Sequence, residues 1–162
     1  MRHRIEHCEM ITRQELARLK QLDILPSMQP NFIGEWGMPG GMYEDRFPAT
    51  KVSQLNPLAW IVEEEIPFSA GSDCMPFEPV YGIHSAVNTP HPAQRISPKE
   101  ALYAYTAGSA YSEHKEELKG SITPGKLADL VVLSGDPVAN PGQIKNMDPE
   151  ITILDGRIVY ER

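Results

Sequence analysis

The sequence predicts an α/β protein built on a parallel sheet. Three strand-like runs alternate with helical patterns, an order typical of parallel strands joined by helical crossovers. Two of these runs lead into side chains that can bind a metal, His7 and Asp73. Ligands of parallel sheets gather at the carboxyl ends of the strands. A length of 162 residues is too short for a complete (β/α)8 barrel of typically ~250 residues, but allows part of one or a smaller α/β sheet.

Charge and composition exclude several classes of partner. The net charge of −7 argues against nucleic acid or an anionic membrane, since both select basic surfaces. No apolar run approaches the ~18 residues of a membrane span. Cys8 and Cys74, the only cysteines, do not make a disulfide framework, so a cytoplasmic location is expected. Cys8 directly follows His7, and adjacent strand side chains point to opposite faces, so we expect both cysteines to be buried structural thiols.

The first β/α unit has clear boundaries. Residues 2–8 are predicted as a strand and residues 12–23 as a helix. Thr12 and Glu15 have capping-box spacing, in which each side chain bonds the backbone N–H of the other residue. Apolar residues then recur with helical period and predict a buried face made of Leu16, Leu19 and Leu22, with Ala17.

A second strand is predicted at 24–29, ended by Pro30, which has no N–H to donate to a sheet. Residues 31–47 are rich in glycine and are predicted as a long loop, a kind of segment that is often functional. Trp36 and Tyr43 within it could line a substrate pocket, or equally serve in the core or as loop anchors.

The central part of the chain continues the alternation. The sequence predicts a helix at 55–64, a third strand at 66–70 and a helix at 81–87. Ser97 and Glu100 then form a second capping box, with Pro98 at the first helical position. Small residues continue this helix through Ala110.

The last forty residues show strand and turn patterns in place of the alternation of strands and helices. Residues 130–133 are a continuous apolar run and predict a buried strand. Residues 151–154 and 157–160 flank Asp155-Gly156, the residue pair that best tolerates the positive φ angles of a tight β-hairpin.

Three motifs in this order resemble a known family. They are Arg4-Ile5-Glu6-His7-Cys8, Gly71-Ser72-Asp73, and the block from Gly120 to Leu133 that contains Pro124-Gly125-Lys126-Leu127-Ala128-Asp129-Leu130. Asp155-Gly156-Arg157 fits the closing hairpin of the same pattern. From Arg4 to Tyr160, the chain resembles the C-terminal portion of the metal-dependent amidohydrolase superfamily, in particular its amidohydrolase-3 (YtcJ-like) group.

The resemblance implies a fold and a chemistry. Residues 1–119 would carry about strands 6–8 of a (β/α)8 barrel of the TIM type, and residues 120–162 part of a small β-sandwich. The sixth strand would end in the metal ligand His7. The eighth would end in Asp73, which would bind the metal and accept the proton of the attacking water. The expected metal is a divalent ion, zinc, and the expected reaction is hydrolysis of carbon–nitrogen bonds in small non-peptide amides.

Other ligands of the family pattern have no counterpart here: the first-strand His-x-His pair, the carboxylated lysine and the fifth-strand histidine. We therefore expect the chain to be incomplete, inactive alone and without tightly bound metal. We also expect it to form a homo-oligomer or to pair with a complementing chain carrying the N-terminal strands. The alternatives are a non-catalytic remnant or assembly module, and a small metal-binding protein that uses His7, Asp73 and a loop histidine such as His84.

Overall fold

The computed structural model describes residues 2–73, 75 and 77–162, so the expectation for Cys74 lies outside the described residues. Within these ranges the strands are β1 (His3–Glu6), β2 (Ile24–Met28), β3 (Ser69–Ala70), β4 (Leu130–Leu133), β5 (Pro149–Leu154) and β6 (Arg157–Glu161). The helices are α1 (Arg13–Gln21), α2 (Pro30–Trp36), α3 (Met42–Arg46), α4 (Ala49–Val52), α5 (Leu58–Glu63), α6 (Pro79–Asn88), α7 (Pro98–Tyr105), α8 (Ala107–Ser112) and a 3-10 helix (Pro141–Asn146). None of the helices in these ranges is long and apolar enough to cross a lipid bilayer.

The first three strands form a parallel sheet in the order β1-β2-β3, which confirms the predicted α/β class. Glu6 pairs with Ser27, and Met28 pairs with Ala70. Helix α1 returns the chain from β1 to β2, and helices α2–α5 occupy the connection from β2 to β3. Because all three strands run the same way, their carboxyl ends lie along one edge of the sheet.

Helix α1 begins as predicted and ends earlier than predicted. Both bonds of the capping box between Thr12 and Glu15 are present. Leu16 and Leu19 are buried in the main core, but Leu22 is 56% exposed, so its predicted place on the buried face was wrong. The helix ends at Gln21, and Leu22 is the C-terminal cap, beyond the periodic face.

Residues 31–47 were predicted as a loop, and this was wrong, because helices α2 and α3 lie within them. Pro30 ends β2, but it also opens α2 at the first helical position, where the missing N–H costs nothing and the ring favours helical φ. Gly34 allows α2 to lie close against α6, since a Cβ there would sit 2.3 Å from the Ser85 hydroxyl oxygen.

The helix predicted to run from Ser97 through Ala110 is two helices. The Ser97–Glu100 capping box is present and opens α7. Thr106 then leaves helical geometry, with φ −123° and ψ −91°. The break lets α8 pack tightly against the chain at the start of β3, because a Cβ at Gly108 would lie 2.1 Å from the Phe68 carbonyl oxygen.

The C-terminal strands form an antiparallel sheet in the order β4-β5-β6. The predicted hairpin between β5 and β6 is confirmed, with φ of 49° at Asp155 and 75° at Gly156. The prediction that 130–133 is buried was wrong, since Val131 and Val132 are 55% and 46% exposed. Among the described residues no second sheet pairs with this one, so a β-sandwich remains a prediction.

The main hydrophobic core joins both parts of the chain. It collects buried residues of α1, β2, α5, α6 and α7, and it also includes Ile144 and Met147 from the C-terminal part. Ile144, on the 3-10 helix, is only 1% exposed. The proposed boundary at 119/120 therefore separates two regions of sequence that share one core.

We expect Ile144→Ala to lower the free energy of unfolding by about 2–5 kcal/mol, because it removes a fully buried side chain and leaves a cavity. Ile158→Ala, at a position 58% exposed on β6, is the matched control and should cost less than about 1 kcal/mol. Urea denaturation of the two variants measures the difference. Equal losses would show that the 3-10 helix does not belong to the cooperative core.

Candidate functional site

His7 lies directly beyond β1, at the carboxyl edge of the parallel sheet. Its backbone N–H donates to the Ser27 carbonyl at 2.8 Å, so the residue is still held by the neighbouring strand. Its side chain is exposed, and the imidazole stacks on the Phe32 ring at 5.9 Å between centroids and 11° between planes. This geometry falls in the range of favourable offset ring contacts. The imidazole is thus both accessible and supported on one face.

The backbone at His7 and Cys8 is left-handed, with φ of 71° and 49°. For residues other than glycine this conformation costs roughly 1–2 kcal/mol each, so the surrounding structure must hold it. The Cys8 side chain packs against the main core, but it is only partly buried and lies beyond β1, so the expectation of a buried strand residue was wrong. Burial, followed by the nearby Glu6 and Glu15 carboxylates, raises the pKa of the Cys8 thiol to about 11. Cys8 is therefore a structural thiol.

Glu9 connects the turn after His7 to the segment between β2 and α5. The Tyr43 hydroxyl donates to the Glu9 carboxylate, and the Asn56 backbone N–H donates to the Glu9 carbonyl at 2.7 Å. Burial, followed by the hydrogen bond to Glu9, raises the pKa of Tyr43 well above its usual range. Tyr43 thus remains a neutral hydrogen-bond donor at any physiological pH.

A row of rings extends from His7 across this segment. Phe32 contacts Trp36 at 4.5 Å, Trp36 contacts Tyr43 at 6.0 Å, and Tyr43 contacts Phe47 at 6.2 Å between centroids. Of the roles left open for the aromatics, Tyr43 takes that of a core residue, because it is 4% exposed and forms a small core with Val52 and Leu55. Trp36 is half-buried beside it.

Asp73 follows β3 at the same edge of the sheet. The Gly71 backbone N–H donates to the Met28 carbonyl at 3.0 Å, which continues the pairing beyond the strand. Asp73 itself is exposed and left-handed, with φ 53°. His7 and Asp73 therefore end the two outer strands, which are two strand spacings, or about 10 Å, apart. The structure brings the two predicted residues to one edge, on either side of the end of β2.

The donor chemistry fits a divalent metal, but the number of donors does not complete a site. An imidazole nitrogen and a carboxylate oxygen are both zinc ligands, while a catalytic zinc typically uses three protein ligands. No group of three or more His, Cys, Asp or Glu side chains within residues 2–73, 75 and 77–162 could hold a metal ion. This also removes support for a site of His7, Asp73 and a loop histidine.

His84, considered for such a site as a loop histidine, lies elsewhere, within helix α6. It lines a small pocket of about 190 Å³ between α2, α6 and the 3-10 helix, together with Lys145. Its Nδ1 lies 2.9 Å from the Asn88 side-chain amide. Burial, followed by the Lys145 cation, lowers the pKa of His84 below its ordinary value of 6.5.

Sequence analysis did not single out Phe32, Glu9 or Asn56. Each acts through a contact between residues far apart in the chain, and no local pattern reports such a contact. The one usable signal was the glycine-rich, aromatic character of 31–47, which pointed to the correct segment without identifying what its residues touch.

The sequence and the fold both match known proteins. The model of the Amidohydrolase family matches residues 1–160. The putative amidohydrolase YtcJ of Bacillus subtilis (strain 168) is 30% identical over 98% of this chain, and the N-substituted formamide deformylase of Arthrobacter pascens is 28% identical over 98%. A crystal structure of an uncharacterized metal-dependent hydrolase from Pyrococcus furiosus superposes with a TM-score of 0.64 and 28% identity over 76% of the chain.

The chain spans between a quarter and a third of the length of these relatives: 32% of the Bacillus protein, 31% of the Arthrobacter protein and 26% of the Pyrococcus chain. The similarity therefore concerns one portion of each relative and almost all of this chain.

We expect the stability of the protein to fall as pH drops through 6.5, in part because of His84. Its lowered pKa means that the unfolded chain binds the proton more readily, so the contribution is present above pH 6.5 and is lost below it. Urea denaturation at pH 7.5 and 5.5 should show a smaller decline for His84→Gln than for the parent. His3→Gln, at an exposed position on β1, is the control. A parent-like decline in His84→Gln would contradict this assignment.

Proposed function

Because the chain belongs to the Amidohydrolase family, we propose that it forms part of a metal-dependent hydrolase site that cleaves carbon–nitrogen bonds in small non-peptide amides. The observation that carries the proposal is the placement of His7 and Asp73 at one carboxyl edge of a parallel sheet. Catalytic groups of β/α proteins are found at this edge. A relative named as an N-substituted formamide deformylase supports the substrate class, since a formamide is a small amide.

In this proposal the sheet β1-β2-β3 corresponds to strands six, seven and eight of a (β/α)8 barrel, and residues 120–162 correspond to part of a β-sandwich beside it. The parallel order of the three strands and the intervening helices support the first assignment. The antiparallel sheet β4-β5-β6 supports the second.

Each residue has a defined task. The His7 imidazole, exposed and supported by Phe32, would offer a nitrogen donor to the metal. The Asp73 carboxylate would offer an oxygen donor and hold the proton released by the attacking water. A bound divalent ion, which we propose to be zinc, supplies Lewis acidity and a water of pKa near 7. Phe32 excludes water from one face of the imidazole and limits its rotation.

Two donors are fewer than a catalytic zinc typically requires, so we propose that the isolated chain is inactive. The remaining ligands would come from outside the described residues of this chain, from a complementing chain or from another copy. The alternative function is that of a non-catalytic assembly module, which keeps the fold and pairs with other chains.

The outer side of β1 favours an assembled state in either case. It carries an open groove of about 520 Å³ lined mainly by apolar side chains, including Ile5, Met10 and Leu22. These three side chains are exposed, and β1 is an edge strand of the described sheet. Exposed apolar surface beside an unpaired strand edge is a site for association.

Zinc binding tests the site. After exposure to zinc and desalting, we expect the purified chain to retain well below one zinc ion per chain, measured by plasma mass spectrometry. Equilibrium titration should show weak binding that His7→Ala and Asp73→Asn each weaken further. His84→Ala is the control, since His84 lies in a separate pocket. Stoichiometric zinc that survives both substitutions would exclude His7 and Asp73 as ligands.

Self-association tests the open edge. We expect the mass measured by light scattering to rise with protein concentration, and Ile5→Lys combined with Leu22→Lys to suppress this rise by placing charges in the groove. Met42→Lys changes a similarly apolar, exposed side chain outside the groove and should have no effect. A monomer at every concentration would contradict the proposal.

A further inference from the structure

We propose that Tyr43 is a positioning residue for His7, and that its hydroxyl, bonded to the Glu9 carboxylate, holds the turn that presents the imidazole at the edge of the sheet. This turn comprises residues 7–11 and is called the 7–11 turn below. The inference rests on the proposed role of His7 as a metal ligand, because positioning matters only if the imidazole has a task. The contacts that place the imidazole all lie within this chain.

The 7–11 turn has few means of holding its own shape. His7 and Cys8 are consecutive left-handed residues, and neither is a glycine. Within the turn, the Cys8 N–H donates to the Glu6 carbonyl at 3.0 Å and the Ile11 N–H donates to the Cys8 carbonyl at 3.2 Å. A strained conformation of this kind persists only where neighbouring elements hold it.

The neighbouring segment supplies three contacts to the centre of the turn. The Tyr43 hydroxyl bonds the Glu9 carboxylate, and the Asn56 N–H bonds the Glu9 carbonyl at 2.7 Å. Lys51 donates from its Nζ to the Met10 carbonyl at 3.4 Å. Of these, the Tyr43–Glu9 bond is the one made between two side chains, a phenol hydroxyl and a carboxylate oxygen.

Tyr43 is itself held in place by the packing of its ring. Its ring is buried with Val52 and Leu55, and Trp36 and Phe47 pack around this cluster. Through Trp36 the same cluster contacts Phe32, on which His7 stacks. The backbone of the turn and the ring of His7 are therefore both connected by contacts to one small core. The orientation of the imidazole relative to the sheet depends on that core.

A purely structural role for Tyr43 makes a different prediction. If the hydroxyl contributes only to stability, its removal should lower the free energy of unfolding and leave the folded environment of His7 unchanged. If the hydroxyl positions His7, its removal should change the surroundings of the imidazole in the folded, metal-free chain. The ring signals of His7 in an NMR spectrum report this difference directly.

The experiment records the histidine ring signals of the metal-free chain of 162 residues at constant pH, and His7→Ala identifies the His7 signals among those of five histidines. In Tyr43→Phe we expect the His7 signals to lose the shift caused by the Phe32 ring and move toward those of a free histidine. We also expect amide exchange at Ile11 and Asn56, whose N–H groups donate to the Cys8 and Glu9 carbonyls, to become about 10-fold faster as the turn loosens. Tyr160→Phe, on exposed β6, is the control.

His7 signals that stay in place in Tyr43→Phe, or that move equally in Tyr160→Phe, overturn the proposal. Should Tyr43→Phe fail to fold, the pair Glu9→Gln and Glu9→Ala replaces it. Glutamine keeps a carbonyl oxygen to accept the Tyr43 hydroxyl, so it should preserve the His7 signals, whereas alanine should lose them. Identical His7 signals in the two variants also overturn the proposal.

Zinc added at the end of the same experiment separates this inference from the proposed function. If Tyr43→Phe moves the His7 signals but zinc does not affect them in the parent, Tyr43 positions His7 and the metal-binding role of His7 is wrong. If zinc shifts the His7 signals in the parent while Tyr43→Phe leaves them in place, the proposed site stands and the positioning role is wrong.

Discussion

Parallel pairing of β1 with β2 and of β2 with β3 is the constraint on which the candidate site depends. Each parallel connection must return the chain to the starting edge, so every strand ends at the same edge and every connection leaves from it. The long connection from β2 to β3 leaves from that edge, beside His7. The same constraint that brings His7 and Asp73 to one edge therefore also brings the aromatic segment against the histidine.

The segment between β2 and α5 shows how a connection can serve a site without supplying a ligand. It contains short helices and a small core around Tyr43, separate from the main core. Its contacts with the first β/α connection include a ring stack, hydrogen bonds to the backbone and carboxylate of Glu9, and a hydrogen bond from Lys51 to the Met10 carbonyl. Rigid support of this kind is what catalytic geometry requires, since a metal ligand must be held to within a fraction of an ångström.

The two parts of the chain differ in how they use apolar residues. The C-terminal part inserts Ile144 and Met147 into the main core, yet its own sheet exposes Val131, Val132 and Ile158. The outer side of β1 exposes Ile5 in the same way. Exposed apolar strand faces of this kind are normally covered in folded proteins, and they are the surfaces on which the proposed self-association rests.

Sequence patterns predicted those features of the fold that depend on residues close together in the chain. The capping boxes at Thr12 and Ser97, the Asp155-Gly156 hairpin and the alternation of strands and helices could all be predicted from the sequence, because each depends on residues a few positions apart. The candidate site residues His7 and Asp73 followed from their places after strands and from the family pattern.

The helices in 31–47, the break at Thr106 and the exposure of Leu22 could not be predicted, since close packing between elements and the point where a helix ends decided them. The stack of Phe32 on His7 and the bonds of Tyr43 and Asn56 to Glu9 likewise join residues from distant parts of the chain. The sequence by itself therefore determined the class of fold and the candidate ligands, while only the tertiary structure decided what holds them, because long-range contacts have no periodic signature along the chain.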